Sequence, residues 1–174
     1  MSADALAAAS PAVALRAMRM DDLDAVMRIQ REAYGDAYQE SADVLGRKLS
    51  LAPEGCWFAE RGGEGLGYVF AHPWSAGAPC LHAQIENLPP RADHGFLHDL
   101  AVSPRARGLG VGRGLFGKVR SWSERAGHQA LALVALADAV AYWRGLGFAA
   151  EPLALPDGYG AGAVFMRYGP AWQG

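Results

Sequence analysis

The chain of 174 residues has only two cysteines, Cys56 and Cys80, and their spacing fits neither a metal site nor a disulfide framework. It contains no Gly-Lys-Ser/Thr sequence, which excludes a P-loop for nucleotide phosphates. No apolar run approaches the roughly 18 residues of a membrane span, and the first residues lack the features of a signal peptide. A net charge of −2 without a Lys/Arg-rich run argues against nucleic acid. We therefore expect a cytoplasmic protein with no metal, nucleic acid or membrane partner.

The composition is that of an ordinary globular domain. Hydrophobic residues make up 51% of the chain and charged residues 20%, which is not the balance of a disordered protein. The length is sufficient for one domain with its own core. Residues 1–12 are rich in Ala, Ser and Pro, so we expect a flexible N-terminal segment followed by a single domain over 13–174.

The most informative segment is an apolar strand that runs into a glycine-rich loop and then a helix. Within residues 96–102, Phe96, His98, Leu100 and Val102 alternate with Leu97, Asp99 and Ala101. Both faces are largely apolar, which favours an interior strand. After the loop, apolar residues recur every three or four positions and predict one helical stripe: Val111, Leu115, Val119, Trp122 and Ala126.

The loop between this strand and helix predicts a binding site for phosphate or pyrophosphate. The first amides of a helix lack intrahelical partners and lie at the positive end of the helix dipole. Glycines at 108, 110 and 112 leave the backbone open to a ligand. Arg107 and Arg113 stand beside these amides, so we expect them to meet phosphates.

A dinucleotide-binding fingerprint is formally present but misplaced. Gly112, Gly114 and Gly117 fit the G-x-G-x-x-G pattern, and Asp138 supplies the acidic residue that this pattern requires about 20 residues later. The first glycine of that pattern follows its strand directly, whereas the predicted strand ends well before Gly112. We therefore expect this match to lie inside the helix and to have no role in binding NAD.

Two segments resemble the acetyl-CoA-dependent N-acetyltransferase superfamily, usually called GNAT. Arg107-x-x-Gly110-x-Gly112 fits the R/Q-x-x-G-x-G/A pattern of that family and follows an L-x-V-x-P strand end. Downstream, residues 139–148 (AVAYWRGLGF) resemble the A-x-x-F-Y-E-x-L-G-F segment. The two segments occur in the family's order with one strand between them.

The resemblance implies an α/β fold with a mixed, mostly antiparallel sheet, helices on both faces and a splay between strands 4 and 5. Turn residues and periodicity divide the chain into the order βααβββαβαββ. The predicted strands are 13–18, 56–60, 66–71, 95–102, 129–136, 148–153 and 162–168, with a long loop over 73–94. The predicted helices run from an N-cap at Asp21 to before Gly35, from Ser41 to Ser50, over 110–126 and over 138–146. Glu40 is expected at the solvated entrance of the second helix, with binding of an amine as the alternative.

The resemblance also implies acetyl-CoA as cosubstrate, with its pantetheine arm beside the fourth strand and its pyrophosphate on the loop. The implied cofactor-binding residues are Leu100, Ala101, Val102, Arg107, Gly108, Leu109, Gly110, Val111, Gly112 and Arg113. An amide of the strand would polarise the thioester carbonyl. Asp99 and His98, ionisable groups on an apolar strand, are the candidate bases, with Asp99 preferred.

The chain departs from the family at the residue that acts as the general acid. The family's tyrosine, five residues before the phenylalanine, is replaced by Trp143, and Tyr142 lies one position earlier. One residue rotates a helical side chain by about 100°. Tyr142 is therefore a candidate acid only if its hydroxyl reaches the sulfur, and an indole N–H cannot act as a proton donor.

These features favour an enzyme that transfers an acetyl group from acetyl-CoA to a primary amine by direct attack. The acceptor is a small-molecule or peptide amine, and the protein is a monomer or homodimer. The absent tyrosine keeps open a second possibility, a CoA-binding GNAT-like module without efficient turnover.

Overall fold

The structure, a computed structural model, describes residues 10–75 and 77–170. Its strands are β1 (Ala14–Ala17), β2 (Trp57–Arg61), β3 (Glu64–Trp74), β4 (His94–Val102), β5 (Ala130–Ala135), β6 (Ala149–Ala150) and β7 (Val164–Tyr168). Its α-helices are α1 (Leu23–Tyr34), α2 (Ala42–Leu51), α3 (Val111–Arg125) and α4 (Val140–Gly145).

Within the described residues, seven strands form one sheet in the order β1-β2-β3-β4-β5-β7-β6. Neighbouring strands pair antiparallel except β4 and β5, which are parallel. Antiparallel neighbours need only short connections, whereas the parallel pair requires a crossover, and α3 provides it. The predicted mixed, mostly antiparallel sheet is confirmed.

The parallel pair separates soon after it forms. His94, Gly95 and Phe96 pair with Ala130, Leu131 and Ala132, but no pairing follows, although β4 continues to Val102 and β5 to Ala135. The two strands therefore diverge towards their carboxyl ends, as the predicted splay requires. A strand edge without a neighbouring strand is left inside the protein.

Helices cover both faces of the sheet, and each helix presents an apolar stripe to it. On one face α3 buries Val111, Leu115, Val119 and Trp122 against the sheet, which are four of the five residues of its predicted stripe. On the other face, Val26 and Ile29 of α1 and Leu45 and Leu49 of α2 pack on Phe58, Tyr68 and Phe70. The periodicity of three and four residues in the sequence thus identified the buried side of α3.

Helix α3 approaches β1 closely because Gly114 has no side chain. A Cβ at Gly114 would lie 2.8 Å from Leu15 Cδ1, a distance that atoms in van der Waals contact do not reach. Gly112, Gly114 and Gly117 all lie inside α3, as predicted. The G-x-G-x-x-G match therefore does not form a turn between strand and helix.

The element boundaries differ from prediction mainly at β3 and β6. Strand β3 continues through Pro73 to Trp74, where the Asp93 amide donates to the Trp74 carbonyl at 3.0 Å. Pro73 lies within two residues of the strand end, where a missing N–H costs little pairing. The strand expected over 148–153 is reduced to two residues. The expectation for residues 1–12 falls mostly on residues outside those described, and the single domain over 13–174 stays a prediction.

Among the helices of residues 10–75 and 77–170, none is both long enough and apolar enough to cross a bilayer.

The core between α3 and the sheet predicts a large cost for removing Leu115, which is fully buried. Leu115→Ala leaves a cavity, and we expect the free energy of unfolding measured in urea to fall by about 2–5 kcal/mol. Leu153→Ala is the matched control, since Leu153 is 42% exposed, and a change of about 0.5 kcal/mol or less is expected there. Equal losses in the two variants would contradict this account of the core.

Candidate active site

A β-bulge in β4 places two ionisable side chains on the same face of the sheet. Phe70 of β3 is opposite Asp99, but Ala71 is opposite Leu97, so His98 is an extra residue in the ladder. Both side chains then point towards α1 and α2, since His98 contacts Glu40 and Asp99 accepts a hydrogen bond from Tyr68. The predicted strict alternation, which put them on opposite faces, was wrong because a bulge adds one residue to one strand only.

Between the diverging ends of β4 and β5 lies a pocket of about 680 Å³. Strand β4 contributes Leu97 to Leu100 and Val102, and the segment after β5 contributes residues 136–139. Further walls come from the end of α1 and its following loop, from Arg107 before the glycine-rich loop, from Tyr142 and Trp143 of α4, and from loop residues that include Leu81, Tyr159 and Ala161. The pocket therefore brings Asp99, Leu100, Val102, Arg107 and Tyr142 of the predicted site together, whereas Ala101 and residues 108–113 are not among the residues that line it.

The unpaired edge of β4 presents backbone groups to this pocket. The Ser103 amide donates to the Leu66 carbonyl at 2.8 Å, on the β3 side of the strand. Because backbone groups alternate between the two edges of a strand, the amides and carbonyls of Leu100 and Val102 face the opposite edge. The Leu100 carbonyl accepts a hydrogen bond from the Tyr34 hydroxyl at 2.5 Å.

Asp99 places a carboxyl group at the wall of the pocket. The Tyr68 hydroxyl donates to Asp99 Oδ2 at 2.7 Å. Burial raises the pKa of Asp99, and the hydrogen bond from Tyr68 and the interaction with His98 offset this only in part. A carboxyl group whose pKa is raised towards neutrality is better matched to proton transfer at physiological pH.

His98 belongs to a buried polar cluster with Glu40 and Lys48. Glu40 Oε2 lies 2.8 Å from His98 Nε2 and 3.3 Å from Lys48 Nζ. Glu40 Oε1 accepts the amide of His82 at 3.0 Å. The three side chains are no more than 2% exposed, so Glu40 and Lys48 depend mainly on partners within the cluster. His98 Nδ1, in contrast, is buried without a hydrogen-bond partner among the described residues.

The expectation that Glu40 is solvated was wrong. Glu40 is only 3% exposed, because its backbone is hydrogen-bonded to the side chain of Gln30 in α1. Gln30 Oε1 accepts a hydrogen bond from the Glu40 amide, and Gln30 Nε2 donates one to the Glu40 carbonyl. Lys48 was missed, although the sequence carried a signal. It falls on the apolar stripe of α2 between Leu45 and Leu49, where a lysine requires a buried partner.

The glycine-rich loop adopts the open conformation that its sequence predicts. Gly108 and Gly110 have φ of 79° and 71°, a left-handed backbone that other residues rarely adopt. Gly110 precedes α3, whose first-turn amides at Val111, Gly112 and Arg113 have no intrahelical acceptor. The Leu109 amide is different from these, because it donates to the Ala106 carbonyl at 3.2 Å.

Tyr142 and Trp143 point in different directions from α4. Trp143 is buried and packs edge-on against Phe116 and Phe148. Tyr142 is 46% exposed, and its hydroxyl lies over the first turn of α3, where a Cβ at Gly112 would be 2.7 Å away. The offset of one residue in the sequence thus places Tyr142 beside the helix N-terminus and Trp143 in the core.

The Glu40 cluster predicts a specific acid sensitivity. Burial raises the pKa of the Glu40 carboxyl, but its interactions with His98 and Lys48 outweigh burial and lower the pKa to about 2. An unfolded glutamate titrates near pH 4.3, so this carboxylate stabilises the fold above that pH and its contribution is lost as the pH falls towards 2.

We expect the wild-type free energy of unfolding to fall more steeply than that of Glu40→Gln across this window, by roughly 3 kcal/mol in total. Urea titrations at several pH values measure the two slopes. The exposed Glu54 supplies the control, because Glu54→Gln should keep the wild-type slope. Parallel curves for the wild type and Glu40→Gln would refute the electrostatic role of the cluster.

Solved structures with this fold were found at low sequence identity. Ard1 from Thermoplasma volcanium is 18% identical with a TM-score of 0.72, over 90% of this chain and 96% of that chain. The ribosomal-protein-S18-alanine N-acetyltransferase from Escherichia coli is 19% identical with a TM-score of 0.64, over 92% and 97% of the two chains. The GphF GNAT-like decarboxylase in complex with isobutyryl-CoA is 19% identical with a TM-score of 0.74, over 90% and 98%.

A comparison with the sequences of curated proteins gave no match. The sequence model of the acetyltransferase (GNAT) family, in contrast, matches residues 23–148. This range runs from the start of α1 to the Gly-Phe turn after α4 and includes β4, the glycine-rich loop and α3. The chain therefore belongs to the GNAT acetyltransferase family.

Proposed function

We propose that this protein is an N-acetyltransferase that transfers the acetyl group of acetyl-CoA to a primary amine. The observation that carries the proposal is the position of Asp99, a carboxyl group with a raised pKa beside the unpaired edge of β4. The glycine-rich loop and the first turn of α3 follow that edge directly in the chain. The pocket thus offers a base and backbone donors for a thioester, and Arg107, next to the glycine-rich loop, also lines it.

The residues at the loop fit the phosphates of acetyl-CoA. The first-turn amides of α3 are aimed away from the helix, and Arg107 lines the adjoining pocket. Anions bind well at such helix termini. We assign phosphate binding to Arg107 and to five residues of the loop and the first turn of α3: Gly108, Gly110, Val111, Gly112 and Arg113. The Leu109 amide, already bonded to Ala106, contributes no donor, so Leu109 would serve through its exposed side chain.

The edge of β4 fits the pantetheine arm, whose amides need backbone partners. Leu100 and Val102 face the pocket with their backbone groups, while Ala101 between them faces β3 and pairs with Tyr68. When bound, acetyl-CoA supplies the acetyl group as an activated thioester. An amide of β4 then donates to the thioester oxygen and stabilises the negative charge that develops there.

Asp99 accepts a proton from the acceptor amine, which frees the nitrogen lone pair for direct attack. His98 is a weaker candidate for this role, because its Nε2 is held by Glu40 and its side chain is 1% exposed. We therefore assign His98 to positioning and Asp99 to catalysis. The structural likeness to the ribosomal-protein-S18-alanine N-acetyltransferase from Escherichia coli supports an amine acceptor.

Tyr142 contributes little as an acid in this proposal. Its hydroxyl lies beside Gly112 at the phosphate-binding turn, and burial raises its pKa. We propose that Tyr142 contacts the cofactor there and that the CoA thiolate leaves without a dedicated proton donor. Trp143 at the family's tyrosine position is the feature that favours the alternative, a module that binds CoA without efficient turnover.

Thiol release in the presence of acetyl-CoA and a panel of primary amines tests the proposal. Release that depends on the amine supports the acetyltransferase. Tight binding of acetyl-CoA by calorimetry without release from any amine would establish the alternative.

The loop assignment predicts the effect of Gly110→Glu on cofactor binding. A carboxylate at this position repels the phosphates, so we expect the Kd for acetyl-CoA to rise at least about tenfold, or 1.4 kcal/mol. Gly63→Glu is the control for backbone strain, since Gly63 also has a positive φ of 82° but lies in the turn between β2 and β3. An unchanged Kd in Gly110→Glu would overturn the assignment.

The assignment of the base predicts a large kinetic effect for Asp99→Asn. Asparagine can still accept the hydrogen bond from Tyr68 but cannot take a proton, so kcat/KM should fall about 10²–10⁴-fold. The acid limb of the pH profile should also disappear, while the Kd for acetyl-CoA is retained. Tyr142→Phe removes another hydroxyl of the pocket, and less than about a tenfold loss is expected there. A comparable loss in both variants would contradict these roles.

A further inference from the structure

Three loops meet at the end of the pocket that lies beyond Asp99, and we call them the roof. They are residues 35–41 between α1 and α2, residues 77–93 between β3 and β4, and residues 151–163 between β6 and β7. Each contributes side chains to the pocket wall: Tyr38, Glu40, Leu81, Tyr159 and Ala161. The roof lies on the α1 and α2 side of the sheet, which is also the side of Asp99.

The 151–163 loop is hydrogen-bonded to the 77–93 loop and packs against the 35–41 loop. The Tyr159 hydroxyl donates to the Pro79 carbonyl at 2.6 Å, and Tyr159 is buried. Gly160 rests against Tyr38, because a Cβ at Gly160 would lie 2.7 Å from the Tyr38 hydroxyl. These contacts close the wall between the loops.

The 77–93 loop is hydrogen-bonded to α2 and to Glu40 of the buried cluster. The His82 amide donates to Glu40 Oε1 at 3.0 Å. Arg47 of α2 donates to the Glu86 carbonyl at 2.6 Å. A loop held at both points cannot move aside to form a groove for an extended chain without breaking the partly buried hydrogen bond between His82 and Glu40.

The end of the pocket under the roof, which we call the enclosed end, includes three tyrosines in its lining: Tyr34, Tyr38 and Tyr159. The Tyr34 hydroxyl already donates a hydrogen bond to the Leu100 carbonyl, and the Tyr159 hydroxyl to the Pro79 carbonyl. These two residues therefore present their rings to a ligand. Tyr38 and Leu81 add apolar surface between them. Amphipathic rings with satisfied hydroxyls bind an apolar or aromatic body well.

Charge at this end is balanced except at Asp99. Both oxygens of Glu40 are occupied by Lys48, His98 and the His82 amide. Asp99 therefore remains to receive one amino group, and Asp138 is exposed on the rim. A second ammonium group would lose its hydration without a carboxylate partner at the enclosed end.

We infer that the acceptor is a small monoamine with an apolar or aromatic body, and that it is not a polypeptide. The inference rests on the proposed acetyltransferase function and narrows its substrate class. The size of the pocket agrees with it, because about 680 Å³ is typical of small-molecule sites and has to hold the acyl-bearing arm of the cosubstrate as well.

Initial rates of thiol release from the wild-type protein test the inference with three probes: phenethylamine, putrescine and tetra-alanine with a free N-terminus. We expect kcat/KM to be highest for phenethylamine, by at least about tenfold over either of the other two. A higher kcat/KM for tetra-alanine would overturn the small-molecule assignment, and a higher value for putrescine would overturn the monoamine assignment. In both cases the acetyltransferase function would stand. Acetyl-CoA binding without release from any probe or other amine would defeat the function and this inference together.

A substitution in the roof locates the acceptor. Leu81→Trp fills the enclosed end, and we expect the KM for phenethylamine to rise at least about tenfold while the Kd for acetyl-CoA is unchanged. Leu153→Trp is the matched control, since Leu153 lies in the 151–163 loop but is 42% exposed and outside the pocket wall. Ala161→Leu provides a smaller filling change if Leu81→Trp does not fold. An unchanged KM in a folded Leu81→Trp or Ala161→Leu variant would overturn the placement of the acceptor under the roof.

Discussion

Strand β4 keeps β5 as a hydrogen-bonded neighbour only as far as Phe96, and the candidate site depends on this loss of a partner. An interior strand edge without a neighbour is normally unfavourable, since its amides and carbonyls lack water and partners. Here the edge lines a pocket, so solvent or a ligand can satisfy it. The divergence also leaves room for side chains from α1, α4 and the roof to approach the same strand. Backbone donors, a carboxyl group and an enclosed wall therefore come together without any unusual residue.

The local parts of this site could be predicted from the sequence, because they depend on residues close together in the chain. Alternating apolar residues, glycines with left-handed φ and a stripe with helical spacing define β4, the loop and α3 over residues 96–125. The same local signals gave most element boundaries to within a few residues. They failed at β6, where a strand of two residues carries almost no pattern.

Long-range polar contacts could not be predicted in the same way. Glu40 and His98 are separated by 58 residues, and nothing in the sequence around Glu40 indicates that Gln30 will draw its backbone into the core. The roof depends on similar contacts, including a hydrogen bond between Tyr159 and Pro79, 80 residues apart. A buried polar cluster costs folding free energy unless its partners are present. The burial of one member can therefore be predicted only when the other members are known.

The bulge in β4 adds one side chain to the strand and leaves the packing on both of its faces unchanged. If His98 is left out of the count, Leu97, Leu100 and Val102 fall on one face of β4, and Phe96, Asp99 and Ala101 fall on the other. This is the ordinary alternation of a strand without a bulge. The extra residue therefore brings a second polar side chain to the pocket without turning any apolar neighbour away from the core. Polar groups and apolar packing are thus accommodated on one short strand, at the expense of a single irregular position in its ladder.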